Sequence, residues 1–344
     1  MQENNDKNRR WGTLLVTGAP GWLADALFAS VAKDPPAGLQ RVRCLVHHSV
    51  PATALREWRK SLGVDVEIVH GDLSDRDSLH RAVQGVTSIL HAAAIIHVER
   101  IRDYYEVNTE GTRKLAEEAA AAGVERMVLV SSNAAGGKGT RAGRLIEESD
   151  PPRPLTHYGR SKFLSERAMF AVESPMERVV LRPCMFYGPP VPQRHVEVFR
   201  RVLHGRMPLV GDGSFSRSLT HIDHIVSASR LALSHRAAVG NTYYVADAEP
   251  YTLRSVIEAM AYGLGVEPRW LPVPSFASTI AHEVDTVVSR FDRYWQTTHL
   301  VGEANWHVGV SIERARRDLG FAPTRSAKEG MRGAVEWCRE RGLI

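Results

Sequence analysis

Thr13-Leu14-Leu15-Val16-Thr17-Gly18-Ala19-Pro20-Gly21-Trp22-Leu23-Ala24 is the stretch that decides the architecture. Its first five residues are a short, mostly apolar run closed by Gly18. A strand that is apolar without alternation is buried on both faces, as in a parallel sheet. From Gly21 to about Lys33 the pattern predicts a helix. Gly18 permits a tight turn, Gly21 lets the backbone approach a pyrophosphate, and Ala24 is small enough for the third position of such a loop. The helix start then presents free N–H groups to an anion. The stretch predicts a dinucleotide-binding loop built from Gly18, Ala19, Pro20, Gly21, Trp22 and Leu23; a plain strand-to-helix turn is the simpler alternative.

Working outward, Arg43–Val46, Val64–Val69, Ser88–His91, Met127–Val130 and Val179–Leu181 read as further strands. A long helix, roughly Tyr104 to Ala122, stops at Gly123. Strands alternating with helices predict an α/β fold with a doubly wound parallel sheet. Regularity weakens after Pro183, where Pro- and Gly-rich breaks surround helices near His195–His204 and His221–His235. This predicts a dinucleotide-binding domain over residues 10–183, joined by chain returning from the C-terminal half. Residues 184–344 then form mainly a smaller substrate-binding lobe.

The chain has 344 residues, 43% hydrophobic and 24% charged, enough to bury a large core. Its net charge of +5 comes without a long basic run interleaved with aromatics, which argues against nucleic acid and suits an anionic cofactor or substrate. Cys44, Cys184 and Cys338 have neither metal-ligand nor disulfide spacing, so a cytoplasmic protein is expected. Met1–Arg10 lacks the apolar core of a signal peptide, and no apolar run reaches the ~18 residues that span a bilayer. No metal is expected. His91 and His97 have no Cys or acidic cluster beside them, and His221 and His224 read as packing and cap.

Tyr158 and Lys162 are four residues apart, on one face of a helix. A phenol ionises near pH ~10, and a neighbouring cation lowers that value. Such a Tyr can exchange a proton with a carbonyl or alcohol. Ser131 and Ser132 end the preceding strand. At the end of the second strand a carboxylate would bind a ribose 2′-hydroxyl and a cation a 2′-phosphate. Val46-His47-His48-Ser49 has no carboxylate, and Arg56, Arg59 and Lys60 follow, so NADP(H) is slightly favoured over NAD(H).

Together these residues resemble the extended short-chain dehydrogenase/reductase family, over nearly the whole chain. The resemblance rests on the Thr17–Ala24 loop, Gly71-Asp72-Leu73, His91-Ala92-Ala93, Asn108-Thr109-Glu110-Gly111-Thr112, Ser131-Ser132, Tyr158 with Lys162, and Leu181-Arg182-Pro183. Tyr187-Gly188-Pro189, Gly211-Asp212-Gly213 and Leu319-Gly320-Phe321-Ala322-Pro323 extend it. It implies a Rossmann domain that binds NAD(P) and a homodimer formed through the Tyr104–Ala122 and Tyr158 helices. It also implies that Tyr158 is the acid/base and that Lys162 holds the nicotinamide ribose and depresses the Tyr158 pKa. Ser132 would bind the substrate oxygen, with Ser131 as the alternative. Asp72, Leu73 and His47 would lie at the adenosine end, Ala92 and Ala93 along the cofactor, and Pro183 near the carboxamide. Tyr187 and Arg217 would reach the substrate. Asn133-Ala134 stands where related dehydratases carry Asp-Glu, which argues against dehydration. A ketone/alcohol oxidoreductase acting on a small molecule is the first expectation. A nucleotide-sugar epimerase with retained cofactor and a non-catalytic dinucleotide sensor are the alternatives.

Overall fold

The computed structural model describes residues 9–96, 98–139, 143–295 and 301–344. His97, one of the two histidines weighed as metal ligands, lies outside them. Seven parallel strands form the central sheet: β1 (Gly12–Thr17), β2 (Leu39–Val46), β3 (Val66–His70), β4 (Ser88–His91), β5 (Arg126–Val130), β6 (Glu177–Pro183) and β7 (Thr242–Val245). Their order is β7-β6-β5-β4-β1-β2-β3. The order reverses between β1 and β4, which opens a crevice above the carboxyl ends of those two strands.

Alternation along β1 feeds two cores. Leu14 and Val16 pack on one face of the sheet with Leu27 and Phe28 of helix α1 (Trp22–Lys33). Leu15 packs on the other face with Leu79 and Leu115. Burying each such side chain stabilises the fold by about 1.5–3 kcal/mol. Helix α2 (Ala52–Ser61) follows β2, and α3 (Arg76–Val83) follows β3. Next comes α4, residues 101–121, in which the stretch Tyr104–Glu110 near the start is π-helical. Helix α5 (His157–Ala171) follows β5 and packs along α4.

Beyond β6 the chain builds a lobe with its own core, in which Val196 and Phe199 meet Val256, Met331 and Val335. They come from α6 (Gln193–His204), α8 (Leu253–Leu264) and the last helix, Ala327–Glu340. Between α6 and α8, α7 (Ile222–Ser234) returns to the sheet and buries Ile222 and Ile225 against it, ahead of β7. Strand β7 is the returning chain, and the doubly wound expectation is borne out. Among the described residues no helix is long and apolar enough to cross a membrane, and no three His, Cys, Asp or Glu side chains form a metal cluster.

Candidate active site

The loop after β1 is shaped by what its glycines lack. Gly18 has φ +85°, and a Cβ there would stand 2.8 Å from the Ala93 nitrogen. A Cβ on Gly21 would lie 2.3 Å from the Gly18 carbonyl oxygen. Thr17 ties the two strand ends together: its carbonyl accepts from Ala92 N, and its hydroxyl accepts from Ala93 N and bonds His91 Nδ1 at 2.7 Å. His91 reaches Thr112 Oγ1 with its other nitrogen, and burial pushes its pKa down to about 3. It is a neutral structural histidine, as expected from the sequence.

Helix α1 has Gly21 as its N-cap residue and no side-chain cap, so its first-turn N–H groups have no side-chain partner there. The Trp22 indole Nε1 beside them is buried and has no partner among the described residues. A cradle that any Cβ would fill, free N–H groups and an orphaned donor fit a dinucleotide pyrophosphate.

Tyr158 is brought to the crevice by a close helix approach. Thr156 caps α5 by accepting from Gly159 N at 3.0 Å, and a Cβ on Gly159 would lie 2.4 Å from the Ala134 carbonyl oxygen. That contact seats the helix start on the turn Asn133–Ala135 after β5. Ser132 opens this turn, accepting from Ala134 N at 3.2 Å, and hydrogen-bonds the Tyr158 hydroxyl. The π-helical stretch of α4 holds α5 from the other side. Asn108 Nδ2 donates to Ser161 Oγ at 3.1 Å, and Thr109 Oγ1 to the Ser161 carbonyl at 3.0 Å. Tyr104 packs its ring on Tyr158, centroids 5.9 Å apart, and Tyr294 packs on Tyr104.

Lys162 is buried and donates to the Val130 carbonyl at 2.8 Å. Burial pulls its pKa down to about 8, against the opposing pull of Glu166. The Tyr158 pKa is raised, because burial outweighs the Ser132 hydrogen bond and the Arg194 charge that lower it. The sequence expectation had the opposite direction and named Lys162 as the cause. In the structure Lys162 is turned to a backbone carbonyl, and desolvation of the phenol dominates. Beneath them Glu166 receives Arg182 twice, at 2.9 and 2.6 Å, and Ser131 Oγ at 2.5 Å. Ser131 therefore faces away from the site, and Ser132 is the serine beside Tyr158.

The Ser132 bond gives a pH signature. Removing it takes away a contribution that lowers the Tyr158 pKa, so that pKa rises further. Ser132→Ala should move the deprotonation of the Tyr158 phenol, and with it the rising limb of any activity that needs the phenolate, to higher pH. It should also cost about 100-fold in turnover. A kcat profile from pH 6 to 11 checks both.

Pro183 ends β6 beside Val245, at the carboxyl edge with Ala92 and Ala93. Other sequence expectations move. Asp72 accepts from Ser74 N at 2.7 Å and bonds His47 Nε2 at 2.8 Å. Burial raises its pKa, but these bonds outweigh it and hold the carboxyl below its usual range. A carboxylate thus stands beside His47 after all, supplied by the turn after β3. Arg59 pairs with Asp65 and Lys60 with Glu57 in exposed ion pairs on and beside α2. Leu73 turns its side chain into the core.

Tyr187, expected to reach the substrate, is 1% exposed and donates to Asp247 Oδ2 at 2.6 Å. Arg217 donates to the carbonyls of Glu303 and Ala304 at 3.0 and 2.9 Å, and its burial lowers its pKa. The Tyr187 hydroxyl is consumed inside the protein, whereas Arg217 keeps a buried Nε with no partner among the described residues. Gly159 and Arg194 were not singled out from the sequence. The signal for Gly159 was its place directly after Tyr158; Arg194 had none.

Residues 14–246 match the NAD dependent epimerase/dehydratase family. The chain belongs to that family. The uncharacterized protein y4nL of Sinorhizobium fredii is 34% identical over 359 residues, covering 99% of each chain. A UDP-glucose 4-epimerase of Vibrio cholerae is 27% identical, covering 94% of each chain. A 2-alkyl-3-oxoalkanoate reductase of Stenotrophomonas maltophilia is 27% identical, covering 93% of this chain and 97% of its own. As a family member within the extended short-chain dehydrogenase/reductases, the chain is an NAD(P)-dependent enzyme. The nicotinamide accepts or supplies a hydride. The Gly18–Leu23 loop is suited to hold the dinucleotide phosphates, and Tyr158 with Ser132 to manage the substrate oxygen.

Proposed function

We propose that this family member is a net oxidoreductase that interconverts an alcohol and a ketone, with Tyr158 exchanging the proton and Ser132 stabilising the substrate oxygen. In this reading Lys162 fixes the ribose and Asp72 with His47 binds the adenosine end. The Asp72 carboxylate beside His47 favours NAD(H), so the preference for NADP(H) read from the sequence is not kept.

The observation that carries the choice of reaction is the placement of Tyr187: its side chain is 1% exposed and its hydroxyl donates to Asp247, so one of the two side chains expected at the substrate is turned inside the lobe. Arg217 keeps its charge: its Nη2 donates to two backbone carbonyls, while its Nε is buried without a partner among the described residues. The oxoalkanoate reductase among the relatives performs a reaction of the proposed kind, while the UDP-glucose 4-epimerase marks the second reading. The deciding assay is absorbance at the reduced-nicotinamide band. Net oxidation with a hydroxy substrate supports the proposal. Interconversion of UDP-glucose and UDP-galactose with no absorbance change overturns it. The homodimer through the outer faces of α4 and α5 belongs to the same reading and is checked by sizing chromatography.

A further inference from the structure

Helix α9 (Ser275–Ser289) is held to the lobe by its inner face only. Ser278 is its one buried residue, and the hydroxyl donates to the Gly302 carbonyl at 3.0 Å. His282 meets the Trp306 ring edge-on, with centroids 5.3 Å apart. The last turn carries on to Phe291, whose N–H bonds the Val288 carbonyl. It stops at Asp292, which has φ 56° and accepts from Arg102 N at 2.9 Å.

The outer face is apolar. Phe276, Ile280, Val284, Val287 and Phe291 follow one another at intervals of 4, 4, 3 and 4 residues. At 3.6 residues per turn they fall within about 80° of the helix circumference. Each is between 39% and 74% exposed. The stripe therefore leaves roughly 500 Å² of apolar surface in water, near the upper end of what a typical monomer shows in one patch.

The pattern is self-complementary. Its centre lies between Asp285 and Thr286. Two copies laid antiparallel about a two-fold axis at that point set Ile280 opposite Phe291 and Val284 opposite Val287. The smallest side chains then meet at the axis, where the helices come closest. Three- and four-residue spacing is what lets side chains of one helix pack between those of another. Glu283 and Arg290 are exposed on one edge of the stripe, and neither has a partner among the described residues. The two-fold axis keeps that edge on the same side in both copies. With a rise of 1.5 Å per residue, Glu283 of one copy lies within about 3 Å along the axis of Arg290 of the other. Two ion pairs close across the contact. A parallel arrangement would put the charged edges on opposite sides and lose both. An anionic lipid surface would call for a cationic edge, whereas this one carries one charge of each sign.

We propose that α9 is a self-association surface on which a second copy of this chain docks antiparallel, with the Phe276–Phe291 stripe as its core and reciprocal Glu283–Arg290 pairs at its edge. The stripe supplies over half of the ~800 Å² that each partner buries in a stable interface, and the flanking polar residues add the rest. This contact is separate from the one through α4 and α5 and does not depend on the reaction catalysed.

Sedimentation velocity of the full chain tests it. A contact of this symmetry joins copies in pairs, so its loss halves the mass whether or not a second interface exists. Wild type should be a dimer, or a tetramer if α4 and α5 also pair. Val284→Glu places two carboxylates beside the axis and should halve that mass. Glu283→Arg and Arg290→Glu should each weaken association by about tenfold, and the two together should restore it with the pairs reversed. All these side chains are exposed, so the urea midpoints should stay at the wild-type value; if that of Val284→Glu falls, the charge-reversal set decides alone. A monomeric wild type, an unchanged mass in Val284→Glu, or a double variant no better than the singles overturns the proposal. A monomeric wild type that binds phosphatidylcholine vesicles through Val284 overturns it in favour of a lipid surface.

Discussion

Replacing Tyr158 with phenylalanine should lower turnover by about 1,000-fold while leaving cofactor affinity within about twofold of wild type. The substitution removes one oxygen. The ring keeps its place against Tyr104, and the α5 cap at Thr156 and Gly159 is untouched. The lost hydroxyl is the one bonded to Ser132. Without it a carbonyl oxygen that gains charge during reduction has Ser132 as a donor but no proton source. The phosphate cradle is made of backbone on the other side of the crevice, so binding should persist. Steady-state assays and fluorescence titration with NADH separate the two effects. Turnover within tenfold of wild type would remove Tyr158 from the chemistry.

The second large effect concerns stability. Glu166→Gln should cost about 3–5 kcal/mol, because it leaves the Arg182 guanidinium buried without its counter-charge. The two side chains of this pair are each 5% exposed and meet in a two-pronged contact. Burial alone would lower the Arg182 pKa; the Glu166 hydrogen bonds and charge hold it above its ordinary value instead. Glu166 also keeps the Lys162 pKa from falling below about 8, so the variant should let that ammonium lose its proton at lower pH. Urea unfolding of Glu166→Gln, and of Glu166→Leu combined with Arg182→Met, checks this. The double variant should recover much of the loss, since no isolated charge remains. An unchanged urea midpoint in Glu166→Gln would mean that the pair adds nothing.

The central sheet was readable because its signals are local. Leu14–Val16 and Val179–Leu181 are apolar without alternation, and the structure buries all of them. Strand β7 was not readable: Thr242-Tyr243-Tyr244-Val245 is a short run in irregular surroundings, and only pairing with β6, some sixty residues earlier, defines it. The site shows the same division. The glycine loop, Ser132, Tyr158 and Lys162 sit at fixed offsets from strand ends, so the sequence places them. Tyr187 and Arg217 were in the right order along the chain, but whether a polar group faces a ligand or its own protein depends on distant partners. Asp247 takes the Tyr187 hydroxyl, and the carbonyls of Glu303 and Ala304 take Nη2 of Arg217.

The wide turn in α4 has a consequence for chain length. Along Tyr104–Glu110 the backbone bonds five residues on, as where Gly111 N meets the Glu106 carbonyl, and the Asn108 carbonyl is taken by the hydroxyls of Thr112 and Ser165. Deleting any one residue there would let the segment rewind to ordinary α-helical pitch. A π turn holds one residue more than an α turn over the same rotation, so the deletion would leave the flanking turns in phase. Tyr104 would keep its place on Tyr158, and the contacts at risk are those of the Asn108 carbonyl with the hydroxyls of Thr112 and Ser165. A homologue one residue shorter at this point can therefore keep the same scaffold and its aromatic pair, and lose only the cross-helix bonds that the wide turn admits.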